Sequence, residues 1–250
     1  MRILLTNDDG INAPGLVVLE KIARALSDDV WIVAPETEQS GMAHSLTLHD
    51  PLRMRKLGDK KFAVRGTPTD CVIMGVDHIL DGRPDLVLSG VNRGQNMAED
   101  VTYSGTVAGA MESVLLGIRS IALSQSYSWE SCEPFDWSAA EEHGARVVKD
   151  LLDHQLPKQT LLNVNFPACP ASEVEEVVYT RQGKRDQAHL NVVPRVDTRG
   201  LSYFWLGFED RKSNPAEGTD LHAVMHKKIS VTPLHLDMTD NKTLEKMMKA

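Results

Sequence analysis

The chain has 250 residues, 42% of them hydrophobic and 25% charged, with a formal net charge of −8. That composition is ordinary for a globular protein with a sizeable core, and the acidic balance argues against a broad basic surface for duplex nucleic acid. Cys71, Cys132 and Cys169 are far apart, odd in number and form no C-x-x-C pair, so neither a disulfide framework nor a zinc knuckle is indicated and a cytoplasmic setting is expected.

In chain order, Ile3 to Leu5 reads as a short buried strand that stops at NDDG, Asn7 to Gly10. The next segment repeats apolar residues at helical spacing, at Leu16, Leu19, Ile22, Ala23 and Leu26, and Val30 to Pro35 is a second short apolar run. Strand, helix, strand in this order is the mark of a parallel α/β sheet. A helix is expected from Thr67, with Thr67 as N-cap, Pro68 in its first position and Asp70 in its first turn. Asp85 to Leu88 reads as a strand, a helix follows YSGT, and Ser120 to Ser124 is a further strand. A longer amphipathic helix in AAEEHGARVVKDLLDHQL precedes a strand from Leu161 to Pro167.

Past Pro167 the alternation fails. EVVYTRQ, NVVPRV and LSYFWLG are β-like, and the DTRG turn, Asp197 to Gly200, joins the last two as a hairpin. KISVTPLHLD then reads as a late strand and NKTLEKMMKA as a terminal helix. No apolar run reaches the roughly 18 residues that a membrane span needs, and Ile3 to Leu5 is too short for a signal peptide, so no membrane association is expected.

Ligands of an open parallel sheet bind where the strands end, and four strand exits carry unusual chemistry: NDDG, the loop with Ser40 and Gly41, SGVNRGQN, and YSGT. A hard divalent cation favours oxygen ligands. Asp8 and Asp9 at a chain turn could hold one, with Ser40 and Asn92 completing the shell. The plainer alternative is that the two aspartates cap the next helix or form an Asx turn. Ser104, Gly105 and Thr106 open a helix whose free N–H groups and dipole suit a phosphate, although Ser104 or Thr106 could simply cap it. A cation beside a phosphate cradle makes a coherent site for phosphoryl hydrolysis. Lone histidines such as His44 and His235, the basic residues Arg181, Lys184 and Arg185, and the aromatic run Tyr203 to Trp205 remain open to structural or functional use.

Taken together, NDDG, the SG of the second loop, GTPTDCV, SGVNRGQN, YSGTVAGAMES and VTPLH make the chain resemble the SurE family of survival proteins over nearly its whole length. The resemblance implies a single domain over residues 1–250. Its Rossmann-like core, a mostly parallel sheet flanked by helices, spans 1–167, and a β-rich extension with hairpin and C-terminal segment spans 168–250. It further implies a metal-dependent phosphatase that splits nucleoside 5′-monophosphates into nucleoside and inorganic phosphate, with 3′-monophosphates and short polyphosphate as further substrate classes. One divalent cation per subunit, Mg²⁺ or Mn²⁺, is held by Asp8, Asp9, Ser40 and Asn92. The same two aspartates are expected to be catalytic. Asn96, Ser104, Gly105 and Thr106 match the phosphate pocket, and the hairpin and C-terminal segments build a homodimer or homotetramer. The competing functions are a receiver-like signalling module, with Asp50 near the position of a phosphoacceptor, and a nucleotide-binding regulator without turnover. One departure stands out: where many relatives have glycine before the last strand, this chain reads HAVMHKKISVTPLH, with Lys227 and Lys228.

Overall fold

The computed structural model describes residues 1–127, 135–185, 190–208 and 214–249. Its first apolar run forms β1 (Arg2–Thr6), whose side chains alternate between two cores: Ile3 and Leu5 enter one cluster and Leu4 the other. A strand covered on both faces reads as a continuous apolar run, which is how β1 looked in sequence. One cover is made by α1 (Pro14–Arg24) and α4 (Ser138–Leu152), the other by α2 (Pro68–Met74) and α3 (Gly105–Leu115).

The remaining strands are β2 (Asp29–Pro35), β3 (Met54–Gly58), β4 (Lys61–Val64), β5 (Leu86–Arg93), β6 (Arg119–Gln125), β7 (Thr160–Phe166), β8 (Val177–Tyr179), β9 (Leu190–Val196), β10 (Ser202–Phe208) and β11 (Ile229–His235). Among the described residues, the central sheet has nine strands in the order β3-β4-β2-β1-β5-β6-β7-β11-β8. Pairings from β4 through β7 are parallel, and β3 and β11 join antiparallel on either side. The α/β class with a mostly parallel sheet is therefore as expected. Beyond Pro167 the helix-strand alternation ends but the sheet does not, because β11 pairs with β7 and β8 with β11.

Two features differ from the sequence reading. β3 and β4 were not anticipated, because MRKLG is exposed throughout and carries cations instead of an alternating apolar face; charged side chains are what protects an edge strand from further pairing. The strand read as ending at Leu88 continues to Arg93, with a register shift between Ser89 and Asn92. Gly90, at φ +134°, makes this possible, since a Cβ there would lie 2.1 Å from the Leu123 carbonyl oxygen.

The start of α2 follows expectation. Thr67 and Asp70 form a reciprocal capping box with Pro68 in the first turn, and a π-helical stretch, Gly75–Ile79, prolongs the helix. The hairpin β9–β10 stands apart as its own two-stranded sheet. Asp197 closes its turn by accepting from the N–H groups of Arg199 and Leu201. Of its side chains Phe204, Trp205 and Leu206 are exposed, and the terminal helix α6 (Asn241–Met248) buries none of its residues. Cys71 lies in the core, and it and Cys169 are free thiols; Cys132 lies outside the described residues. Among those residues no helix is long and apolar enough to cross a membrane.

Candidate active site

The turn after β1 is braced by Asn7, not by the aspartates: its amide donates to the Gly10 carbonyl at 3.0 Å. Helix α1 starts only at Pro14, and its N-cap Ala13 has no side-chain cap. Asp8 and Asp9 therefore do not cap α1. Each points to a different partner from a distant part of the chain. Oδ1 of Asp8 accepts the hydroxyl of Thr106, and Oδ2 of Asp9 accepts the Arg93 N–H at 3.1 Å.

The N-terminus of α3 sits directly against Asp8. A Cβ on Gly105 would lie 2.8 Å from the Asp8 Cβ and 3.0 Å from Oδ2, so glycine is required for this approach. Ser104 is the N-cap and accepts from Val107 N at 3.0 Å, which still leaves its hydroxyl hydrogen to donate. Thr106 differs from the sequence reading in one respect. Its hydroxyl hydrogen is spent on Asp8, and its main-chain N–H also acts on that carboxylate, so neither is left for an anion.

On the other side, the irregular end of β5 carries Asn92. Its amide nitrogen donates to the Gly94 carbonyl at 2.8 Å, which leaves the amide oxygen for another partner. Because the neighbouring Arg93 N–H bonds Asp9, this strand end and the NDDG turn share one edge. Asn96 is buried and strongly anchored: its N–H donates to Asn165 Oδ1 (2.9 Å), and its carbonyl accepts from Asn163 Nδ2 (2.7 Å) and Asn165 Nδ2 (3.1 Å). Its own amide donates to Ser124 Oγ at 2.9 Å, leaving a second amide hydrogen.

The loop after β2 is tied in through Gln39, whose N–H donates to the Asp8 carbonyl at 2.7 Å. Ser40 follows, exposed, with its hydroxyl donated to Glu38 Oε1 at 2.9 Å. Further along the loop, His44 pairs with Glu112 of α3 at 2.9 Å and Thr47 bonds the Asp70 carboxylate. The four strand exits are thus linked by hydrogen bonds through Asp8 and Asp9.

Electrostatics make the turn costly as it stands. Burial pushes the Asp8 carboxyl up from its ordinary value, partly opposed by the Thr106 hydroxyl. Burial and the neighbouring Asp8 charge push Asp9 up to about 7, and Glu38 adds a further negative charge that acts on both. A divalent cation relieves this repulsion. Among the described residues no group of three His, Cys, Asp or Glu forms a cage, so a cation at this turn has to complete its shell with neutral oxygens. Ser40 and Asn92 offer a hydroxyl and an amide oxygen, which suits a hard ion.

Several residues here escaped the sequence reading. Asn163 and Asn165 lie two apart in the buried strand β7, and polar residues at alternate positions of an apolar strand are a readable sign of an inward polar face. Glu38 and Ser124 carried no comparable signal. Other candidates moved away from the site: Arg185 bonds Asp100 and Glu99, and Arg181 bonds the Glu217 carbonyl. Asp50 lies in the irregular stretch before β3, not at the end of a central strand, which removes the basis for a receiver-like phosphoacceptor.

Comparison with known proteins decides the lineage. The family described as "Survival protein SurE" matches residues 3–189. The chain belongs to the SurE family. Among its SurE relatives, the 5′-nucleotidase SurE of Methylorubrum extorquens (strain PA1) is 59% identical over 251 aligned residues, covering 100% of this chain and 99% of the relative. That of Rhodopseudomonas palustris (strain BisA53) is 61% identical over 243, covering 96% and 95%. The crystal structure of a SurE protein from Aquifex aeolicus has a TM-score of 0.83 at 40% identity, covering 100% of this chain and 99% of that one. The resemblance carried by the separated SurE motifs, and the mostly parallel α/β core it implied, are confirmed.

Proposed function

We propose that this SurE-family protein is a metal-dependent 5′-nucleotidase, hydrolysing nucleoside 5′-monophosphates to nucleoside and inorganic phosphate. The observation that carries the reading is the contact of the α3 N-terminus with Asp8, which puts a phosphate cradle and a carboxylate pair on one edge. Asp8, Asp9, Ser40 and Asn92 hold one divalent cation per subunit, Mg²⁺ or Mn²⁺. When bound, such a cation offsets phosphate charge and makes water more acidic.

The phosphate is received by the Gly105 N–H at the start of α3, the hydroxyl of Ser104 and the remaining amide hydrogen of Asn96, with Gly105 allowing close approach. Water attacks phosphorus and the ester P–O bond breaks; the proton that water gives up ends on the oxygen of the departing nucleoside. Asp8 and Asp9 are catalytic in holding the ion, and one of them takes the proton of the attacking water. Asp8 is a poor nucleophile, since one of its oxygens is already bonded to Thr106.

A second subunit belongs to the proposal. The exposed Phe204, Trp205 and Leu206 of the hairpin and the wholly unburied α6 are surfaces for a homodimer or homotetramer. A cytoplasmic setting agrees with free thiols at Cys71 and Cys169.

The test is phosphate release over a panel of nucleoside 5′- and 3′-monophosphates, short polyphosphate and a non-nucleotide ester, with Mg²⁺ or Mn²⁺ in ¹⁸O-labelled water. The nucleoside 5′-monophosphates should be hydrolysed fastest, with label in phosphate and none in Asp8. Tight nucleotide binding without release at any metal concentration would support the regulator instead.

A further inference from the structure

Helix α5 (Asp220–Met225) and its C-cap carry a feature that the nucleotidase site does not use. His222 and His226 are four residues apart, so they rise one above the other on a single helical face. Their rings are stacked, with centroids 4.1 Å apart and planes 29° from parallel. His226 Nδ1 lies 2.8 Å from the His222 carbonyl oxygen. A carbonyl only accepts, so Nδ1 carries the proton and Nε2 is left with a bare lone pair. A ring N–H donated to a main-chain carbonyl is the arrangement that orients metal-bound histidines.

The surroundings admit a cation. His226 is exposed and His222 half-buried, so an ion has access from solvent. The adjacent Lys227 and Lys228 are paired with Glu173 and Glu176, each at 2.7 Å, which offsets their charge. The helix itself is held in place: Thr219 caps it, and Asp220 accepts from Ala98 N and Gly183 N. Two nitrogen ligands of one ion at about 2.0–2.1 Å lie roughly 3 Å apart; the rings are close enough to share an ion, but they must turn out of the stack so that both Nε2 lone pairs, which lie in the ring planes, converge on it. The pair lies beyond residues 3–189, the part matched by the family.

We propose that His222 and His226 form a second metal site, a bidentate imidazole chelate for a borderline transition-metal ion such as Zn²⁺, Ni²⁺ or Cu²⁺. It is distinct in chemistry from the oxygen-lined turn at Asp8 and Asp9, because imidazole nitrogen selects these ions over Mg²⁺. Water fills the remaining positions.

The experiment is calorimetric titration of the full chain with Zn²⁺ and Ni²⁺ under saturating Mg²⁺, in an Asp8→Asn/Asp9→Asn background that disables the oxygen site. His222→Gln and His226→Gln are compared in the same background, with circular dichroism confirming the fold of each. The site predicts one ion per chain, weakened at least about tenfold by either histidine change, and ¹⁵N shifts on Nε2 of both rings. Binding unchanged in either single variant, or wild-type histidines binding no better than His222→Gln combined with His226→Gln, would overturn it.

Discussion

Thr106 donates its hydroxyl hydrogen to Oδ1 of Asp8 across 98 positions of sequence, joining the start of α3 to the turn after β1. That bond opposes the effect of burial on Asp8 by favouring the charged carboxylate. Thr106→Val keeps the side-chain shape and removes the donor. A hydrogen bond to a charged group contributes about 1.5–3 kcal/mol, so Mn²⁺ binding by titration calorimetry should weaken by roughly one to two orders of magnitude. Thr106→Ser should retain most of the affinity. Equal binding in wild type and Thr106→Val would remove the proposed role.

The raised carboxyls make stability depend on pH in a defined direction. Asp9 titrates at about 7 in the folded chain against an ordinary 3.8, so the folded state holds a proton that the unfolded state has released. The resulting stabilisation is complete below 3.8 and is lost as pH rises through 7. Relative to Asp9→Asn, metal-free wild type should therefore lose up to roughly 4 kcal/mol across that window, at about 1.4 kcal/mol per pKa unit. Urea unfolding at pH 4 and pH 8 measures the difference. Saturating Mn²⁺ should restore stability at pH 8 in wild type far more than in the variant.

Asn165 holds Asn96 from both sides, accepting its N–H and donating to its carbonyl. Asn165→Leu leaves that buried N–H without its partner, at a cost of about 1–3 kcal/mol. Thermal unfolding should show the loss, and KM for the nucleotide should rise because Asn96 is no longer fixed. A stability loss with unchanged KM would place Asn96 outside the phosphate pocket.

How much of this was legible in sequence follows from which interactions are local. The first βαβ unit and the Thr67 cap with Asp70 in the first turn rest on periodicity and spacing within a few residues, and both appear in the structure as read. So does the DTRG turn, closed by Asp197 itself. What was missed depends on distant partners. β3 is an edge strand whose pairing comes from β4, not from an apolar pattern. β5 outruns its apparent end at Leu88 because Gly90 fits against the Leu123 carbonyl of the neighbouring strand. At the site, the residue types at Asp8, Asp9 and Ser104 were readable as ligand or cap. The choice between those roles was not, because the partners of Asp8 and Asp9 are Thr106 and the Arg93 main chain. The commitment of Thr106 to Asp8 instead of to an anion was hidden for the same reason.

The exposed hairpin predicts a change of assembly without a change of fold. Phe204 and Trp205 are 64% and 63% exposed within one chain, so charged replacements there cost its own core little. Phe204→Glu with Trp205→Glu should leave the unfolding temperature of the subunit nearly unchanged and shift sedimentation toward monomer. Wild type should sediment as a dimer or tetramer. A monomeric wild type would remove the proposed interface.

The most direct test of the central claim is phosphate release from one nucleoside 5′-monophosphate by wild type with Mn²⁺, by wild type after complete chelation, and by Asp9→Asn with Mn²⁺. Cation and phosphate meeting at the Asp8–Asp9 turn predicts rapid release in the first case, none above background in the second, and a loss of at least about 100-fold in the third. Undiminished release by chelated wild type or by Asp9→Asn would contradict it.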